Sequence, residues 1–307
     1  MSHPIQWYAD QAQLHFLTIR CLRAMFLLRP DSAVNQIVGL AIARAVEQTG
    51  VSLYVAVAMS SHLHLIVSGK ADAIRHFKRR VYGNIAKWVN RFRNLSGRFW
   101  HRRGSSSAIL SEPFNWDKLI YTLLNPVTAG LCARAADWIG FTTLPENLGA
   151  EPRVYEYLDL EKYNQARRRD PNVSKEEFIT RHPLKVTPLP EFAGDPEGFA
   201  VALKEALAQH EDELAKERRQ AGRRVLTPRQ ILERPFTSSS PNPKKGKRPL
   251  CHGTKELCDA YREAYREFCA VYKTASKDFR DGKLTTPFPE GCFRPQVASA
   301  IRVVLLA

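Results

Sequence analysis

The sequence predicts an α+β fold, a ferredoxin-like antiparallel sheet with helices packed on one face, plus a mainly helical C-terminal extension. Three observations lead there. Segments with period-two and helical apolar spacing follow one another in the order βαββαβα over residues 14–124, an order that suits a ferredoxin-like sheet. Two of the strand segments are split by only two residues, the mark of an antiparallel hairpin. Beyond about residue 150 the chain turns to charged, helix-prone segments.

Taken in order, residues 14–21 (LHFLTIRC) alternate and are rich in β-forming side chains. Residues 32–49 carry apolar side chains at helical spacing, and Gly50 supplies a stop. Residues 51–59 (VSLYVAVAM) and 62–68 (HLHLIVS) form the hairpin about Ser60 and Ser61. From 71 to 93, Ile74, Phe77, Val81, Ile85, Trp88 and Phe92 step by three or four, so this helix has an apolar stripe that places Trp88 and Phe92 in the core. Residues 98–110 read as a less regular strand or hairpin. Residues 115–124 read as a short helix stopped by Asn125-Pro126, because proline disfavours helical geometry in the residue before it. In the extension, 197–224 and 255–280 are helix-prone, and 235–249 (PFTSSSPNPKKGKRP) reads as an exposed linker.

A chain of 307 residues with 44% hydrophobic content is expected to form two globular units, 1–150 and 151–307. The net charge of +15 favours an anionic partner, of which nucleic acid is the commonest. No stretch approaches the ~20 apolar residues of a membrane span, and residues 1–13 lack the apolar run of a secretory signal. The expected location is therefore the cytoplasm, associated with a bacterial-type nucleoid, with no membrane partner. Six scattered cysteines without an export signal argue for reduced thiols, and the spacing of Cys251, His252 and Cys258 matches no standard zinc pattern.

Three groups of residues carry possible chemistry. His62 and His64 are two apart in a strand, so both imidazoles leave one face and can share a metal, given a third ligand. Between Lys70 and Arg103 there are eleven Lys or Arg and a single acid, Asp72. Within that stretch Arg75, Lys78, Arg79, Arg80, Lys87, Arg91, Arg93, Arg98, Arg102 and Arg103, with Trp100 among them, suit single-stranded DNA: cations follow phosphates and aromatic faces stack bases. Tyr121 and Asn125 stand four apart, one turn apart on a helix; a phenol is a possible nucleophile and a carboxamide oxygen a possible metal ligand. Alone, a tyrosine in LIYTLL reads as core packing.

Together these residues resemble the HUH single-tyrosine transposases, and among them the REP-associated tyrosine transposases. That branch has a hydrophobic strand entering MPNHxH, a basic helix, a GxxW segment and YIxxNPVxxG. Here the counterparts are residues 59–67 (MSSHLHLIV), the helix that follows, Gly97-Arg98-Phe99-Trp100, and residues 121–130 (YTLLNPVTAG). The likeness spans residues 10–140. It departs from the pattern at Ser60-Ser61, which stand where the branch has Pro-Asn, and in the long tail after residue 150.

The resemblance implies that His62, His64 and Asn125 bind a divalent metal, Mg2+ or Mn2+. It further implies that Tyr121 attacks a scissile phosphate to give a 5′-phosphotyrosine and a free 3′-hydroxyl, which a second 3′-hydroxyl resolves by strand transfer. The partner would be single-stranded or hairpin DNA, with the protein a monomer or a homodimer. The runner-up is a catalytically silent DNA-hairpin-binding protein of the same ancestry. A metal-dependent phosphohydrolase and an RNA-binding module are further alternatives.

Overall fold

The computed structural model describes residues 5–240 and 249–293. The elements are β1 (His15–Arg20), α1 (Ser32–Thr49), β2 (Ser52–Met59), β3 (His62–Ser68), α2 (Ala71–Phe92), β4 (Ser105–Ile109), α3 (Glu112–Leu123), α4 (Asn125–Thr128), β5 (Val154–Leu158), α5 (Leu160–Arg169), β6 (Ile179–Pro183), α6 (Pro196–Gln220), α7 (Pro228–Glu233), β7 (Cys251–His252) and α8 (Lys255–Arg280). α1 stops where Gly50 adopts φ +66° and its N–H bonds the Val46 carbonyl, a left-handed cap that costs glycine little.

The main sheet runs β2-β3-β1-β4-β7, and its first four strands pair antiparallel in the ferredoxin-like order. Register fixes what each face carries. Thr18 lies opposite His64 and Arg20 opposite His62, so Phe16, Thr18 and Arg20 share a face with the two histidines. Leu17 and Ile19 point the other way with Leu63 and Leu65, into the core beneath α1 and α2. There Val38, Ile42 and Ala45 of α1 meet Ile74, Phe77, Val81 and Ile85 of α2.

The stripe of α2 ends earlier than its spacing predicts. Val89 is fully buried, Trp88 is half-buried with its ring 6.0 Å from that of Tyr157, and Phe92 is 50% exposed. A 22-residue helix is about 33 Å long and outruns strands of five to eight residues, so its last turn overhangs the core. The helix stop expected at Asn125-Pro126 is met for α3, which ends at Leu123, but not for the chain beyond it. Leu124 keeps right-handed helical geometry and α4 carries the chain one turn further, with proline in the first turn, where its missing N–H is not needed.

The second face of the sheet is covered in part by α3 and by the extension. Leu119 and Leu123 of α3, Val127 of α4, and Phe199, Leu203 and Leu207 of α6 form one apolar cluster with Val55, Val57 and Ile66 of the sheet. The extension also supplies β7, which pairs parallel to β4 through Ala108–Cys251 and Ile109–His252. Of the expected linker, residues 238–240 are tied down, Ser238 accepting from the Phe26 N–H and Ser240 donating to Ala24; residues 241–248 lie outside the described residues. Among the described residues no helix is long and apolar enough to cross a membrane.

Candidate active site

Strand alternation and register bring His62 and His64 together, with ring centroids 4.7 Å apart at near right angles. His64 is 6% exposed and its ring stacks on Phe16 at 5.2 Å. Each Nδ1 meets a hydroxyl, Ser61 at 3.1 Å for His62 and Thr18 at 3.0 Å for His64. Burial, then the charge of Arg20, lowers the His62 pKa to about 4. Burial, then His62, Arg20 and Lys118, holds His64 well below the ordinary value. Both imidazoles are therefore neutral at physiological pH, the state a metal ligand requires.

These donors fit a divalent cation in part. With each Nδ1–H donating to its hydroxyl, each Nε2 keeps a lone pair in a fixed orientation, the usual supporting arrangement for a ligating histidine. Asn125 donates its amide to the carbonyls of Tyr121 (2.8 Å) and Thr122 (3.4 Å), which leaves its Oδ1 as the acceptor end. Among the described residues no cluster of three or more His, Cys, Asp or Glu is placed to hold a metal.

Tyr121 is 51% exposed, so the core-packing reading of this tyrosine does not hold. Its ring lies 6.2 Å from that of Phe16, edge to face, and Phe16 in turn stacks on His64. The tyrosine and the histidine pair thus lie on one face of the sheet, separated by one aromatic ring. Lys118, a turn before Tyr121 on α3, sits 4.6 Å above the Tyr121 ring and 5.2 Å above Phe16. Its pKa is lowered by burial and partly restored by Asp117.

The extension adds groups to this face that sequence reasoning missed. His210, Glu213 and Glu217 of α6, at helical spacing of three and four, line a cavity of about 300 Å3 with Asp117 and Tyr121. The Nδ1 of His210 lies 2.8 Å from the Ala206 carbonyl, which can only accept, so Nδ1 carries a proton and, in the neutral ring, Nε2 is the nitrogen with the lone pair. On β7, His252 lies 6.0 Å from Phe16, its buried Nε2 has no partner among the described residues, and burial, then Lys118, lowers its pKa to about 4. The only local signal for the α6 residues was their i, i+3, i+7 spacing, and His252 was visible in the sequence only beside Cys251 and Cys258.

The cationic stretch lies elsewhere. Arg79, Arg80, Lys87 and Arg91 are exposed on α2, which packs on the opposite face of the sheet from Tyr121; Arg98, Arg102 and Arg103 are exposed in the segment leading to β4. Two expected DNA-binding residues have structural work instead. Arg93, 3% exposed, pairs with Asp31 at 2.6 Å and bonds the Leu27 and Arg29 carbonyls, so its charge is spent inside the protein. Lys78 is buried, donates to Gln6 at 2.8 Å and Tyr8 at 3.2 Å, and burial lowers its pKa to about 7. Arg75 pairs with Asp72 at 3.2 Å. Trp100 is half-buried, its indole N–H donated to the Tyr82 carbonyl at 2.9 Å.

Among solved structures, the chain is similar to a REP-associated tyrosine transposase bound to a REP hairpin, with 20% identity and a TM-score of 0.39 over 48% of this chain and 86% of that one. It is also similar to a candidate transposase from Deinococcus radiodurans R1, with 16% identity and a TM-score of 0.28 over 35% of this chain and 86% of that one. No protein-family model matches the chain, and no curated protein matches it.

Proposed function

We propose that this protein is a metal-dependent, single-tyrosine DNA transesterase that cuts and rejoins single-stranded or hairpin DNA, as a transposase or nickase of the HUH type does. The observation that carries the reading is the placement of an exposed Tyr121 on the same sheet face as two neutral, hydroxyl-oriented histidines, with a lysine above its ring.

In this reading the Tyr121 oxygen attacks the scissile phosphorus, the bond from phosphorus to O3′ breaks, and the 5′ end stays on the tyrosine as a phosphodiester. A divalent cation held by His62, His64 and Asn125, Mg2+ or Mn2+, would withdraw charge from the non-bridging oxygens. A free phenol has a pKa of about 10, so its proton needs an acceptor. The Nε2 lone pair of His210, in the cavity that Tyr121 also lines, is the proposed acceptor. The Lys118 ammonium favours the phenolate over the phenol and the pentacoordinate transition state over the ground state. The departing O3′ takes a proton and leaves as a hydroxyl; attack on the phosphotyrosine by a second 3′-hydroxyl reverses the balance and releases Tyr121, with no net loss of phosphodiester bonds.

A denaturing gel of the protein mixed with labelled hairpin-bearing single-stranded DNA and Mn2+ tests the reading. A slow covalent band with wild type and none with Tyr121→Phe is expected. If neither protein gives a band on any cleavable target while native gels show binding, the catalytically silent DNA-hairpin-binding reading replaces this one; the exposed cations of α2 favour that second reading because they need no tyrosine.

A further inference from the structure

On the face of the sheet opposite Tyr121, a cavity of about 450 Å3 opens between α2 and residues 98–104. Its walls are aromatic: Tyr82 from α2, and Phe99 and Trp100 from the segment leading to β4. Trp100 sits edge-on to Phe99 at 4.6 Å and to Tyr82 at 5.9 Å, and its indole N–H is held by the Tyr82 carbonyl, so the rings are fixed before any ligand arrives. The Tyr82 hydroxyl is buried and has no hydrogen-bond partner among the described residues. A buried hydroxyl without a partner is left desolvated and unpaired, and a ligand acceptor would satisfy it. The space is kept open by Gly104, whose Cβ would stand 3.0 Å from the Tyr82 ring.

The cavity also bears Arg79, Arg98, Arg102 and Arg103, and among the described residues no carboxylate lines it. Aromatic walls with a cationic rim select a flat ring joined to an anion. The volume lies in the roughly 300–1,000 Å3 range of small-molecule sites and admits a single nucleotide but no duplex. We propose that this cavity receives one unpaired nucleotide of the DNA substrate, its base against Tyr82 and Trp100 and its phosphate on Arg102 and Arg103.

The location fits a strand that reaches both faces. Ile19 lines the cavity while its neighbours Thr18 and Arg20 face the histidines. Arg20 lies opposite His62, and its carbonyl accepts the His101 N–H at 2.9 Å, so the cavity and the histidine pair lie back to back at one end of the sheet. A single strand passing around that end would place one base in the cavity and carry a phosphate further along the strand to the histidine face. This assignment rests on the proposed DNA substrate for its source of nucleotide, and not on the tyrosine chemistry.

The test is equilibrium binding to the full chain, followed by tryptophan fluorescence, with dTMP, thymidine, inorganic phosphate and a single-stranded oligonucleotide as probes. dTMP should saturate the signal at least tenfold more tightly than thymidine or phosphate. Arg102→Ala with Arg103→Ala, both exposed, should weaken dTMP and oligonucleotide at least tenfold while circular dichroism stays unchanged. Phosphate binding as tightly as dTMP would reduce the cavity to an anion site and overturn the proposal. Loss of dTMP affinity with oligonucleotide affinity unchanged would assign the cavity to free nucleotide and overturn the DNA assignment. If both ligands respond as expected but no covalent adduct forms with wild type, the cavity stands and the transesterase reading falls.

Discussion

Lys118 and Tyr121 stand one turn apart on α3, with the lysine ammonium 4.6 Å from the centre of the phenol ring and Phe16 beneath both. A cation so placed stabilises negative charge on the phenol oxygen and on a phosphate beside it. Lys118→Met should slow adduct formation about 100- to 1,000-fold, the range for removal of one preorganised electrostatic group, while leaving DNA affinity within a few-fold. Burial lowers the Lys118 pKa, so its charge is lost as pH rises and cleavage should fall at a lower pH than an ordinary lysine would give. Lys118→Arg should move that fall upward in a pH profile of single-turnover cleavage; an unmoved profile would mean that Lys118 does not act through its charge.

The hydroxyls behind the histidines offer a separate check on the metal. Thr18→Val removes the partner of His64 Nδ1 and leaves both imidazoles in place. Mn2+ affinity, read by electron paramagnetic resonance, should drop about 10- to 100-fold, and His64→Ala should drop it further. Equal Mn2+ affinity in wild type and His64→Ala would remove the histidines from any metal site.

Salt dependence separates cations that face DNA from cations that hold the fold. Arg80→Ala or Lys87→Ala should each lower the slope of log affinity against log salt by about one unit. Arg93→Ala should leave the slope alone and lower stability, because its guanidinium serves Asp31 and two carbonyls.

Asp31 carries a pH signature of the same ion pair. Burial pushes its pKa up, but hydrogen bonds from Arg29 and Arg93 outweigh burial and hold it below the ordinary value. A carboxylate with a depressed folded pKa stabilises the fold above its unfolded pKa of about 4, and that contribution is lost as pH falls through the folded value. Urea midpoints measured from pH 6 down to pH 3 should therefore fall more steeply for wild type than for Asp31→Asn; parallel curves would dismiss the pair as a stabilising element.

The extension is expected to be part of the fold's stability. Leu203 of α6 is fully buried against α3 and the sheet, so Leu203→Ala should cost about 2–5 kcal/mol in urea denaturation. Truncation after residue 150 removes Phe199, Leu203 and Leu207 together with the strand that covers the β4 edge, and the product should be insoluble. A soluble, cooperatively folding 1–150 fragment would show that the first unit stands alone.

The sequence by itself determined what is local. Period-two alternation set His62 and His64 on one face, two residues between strands set the hairpin, a turn of helix joined Tyr121 to Asn125, and composition announced the cationic stretch. Tertiary structure decided what is not local. That Thr18 backs His64 depends on the register of β1 against β3, strands that lie more than forty residues apart in the chain. That Tyr121 is exposed, Phe92 overhangs and Arg93 is spent on Asp31 depends on where helices end relative to the sheet. That His210 and His252 join the tyrosine's face depends on α6 and β7 returning to the sheet from the extension. Side-chain periodicity records which face a residue takes within its own element; which elements share that face is settled by the burial of apolar surface contributed by the whole chain.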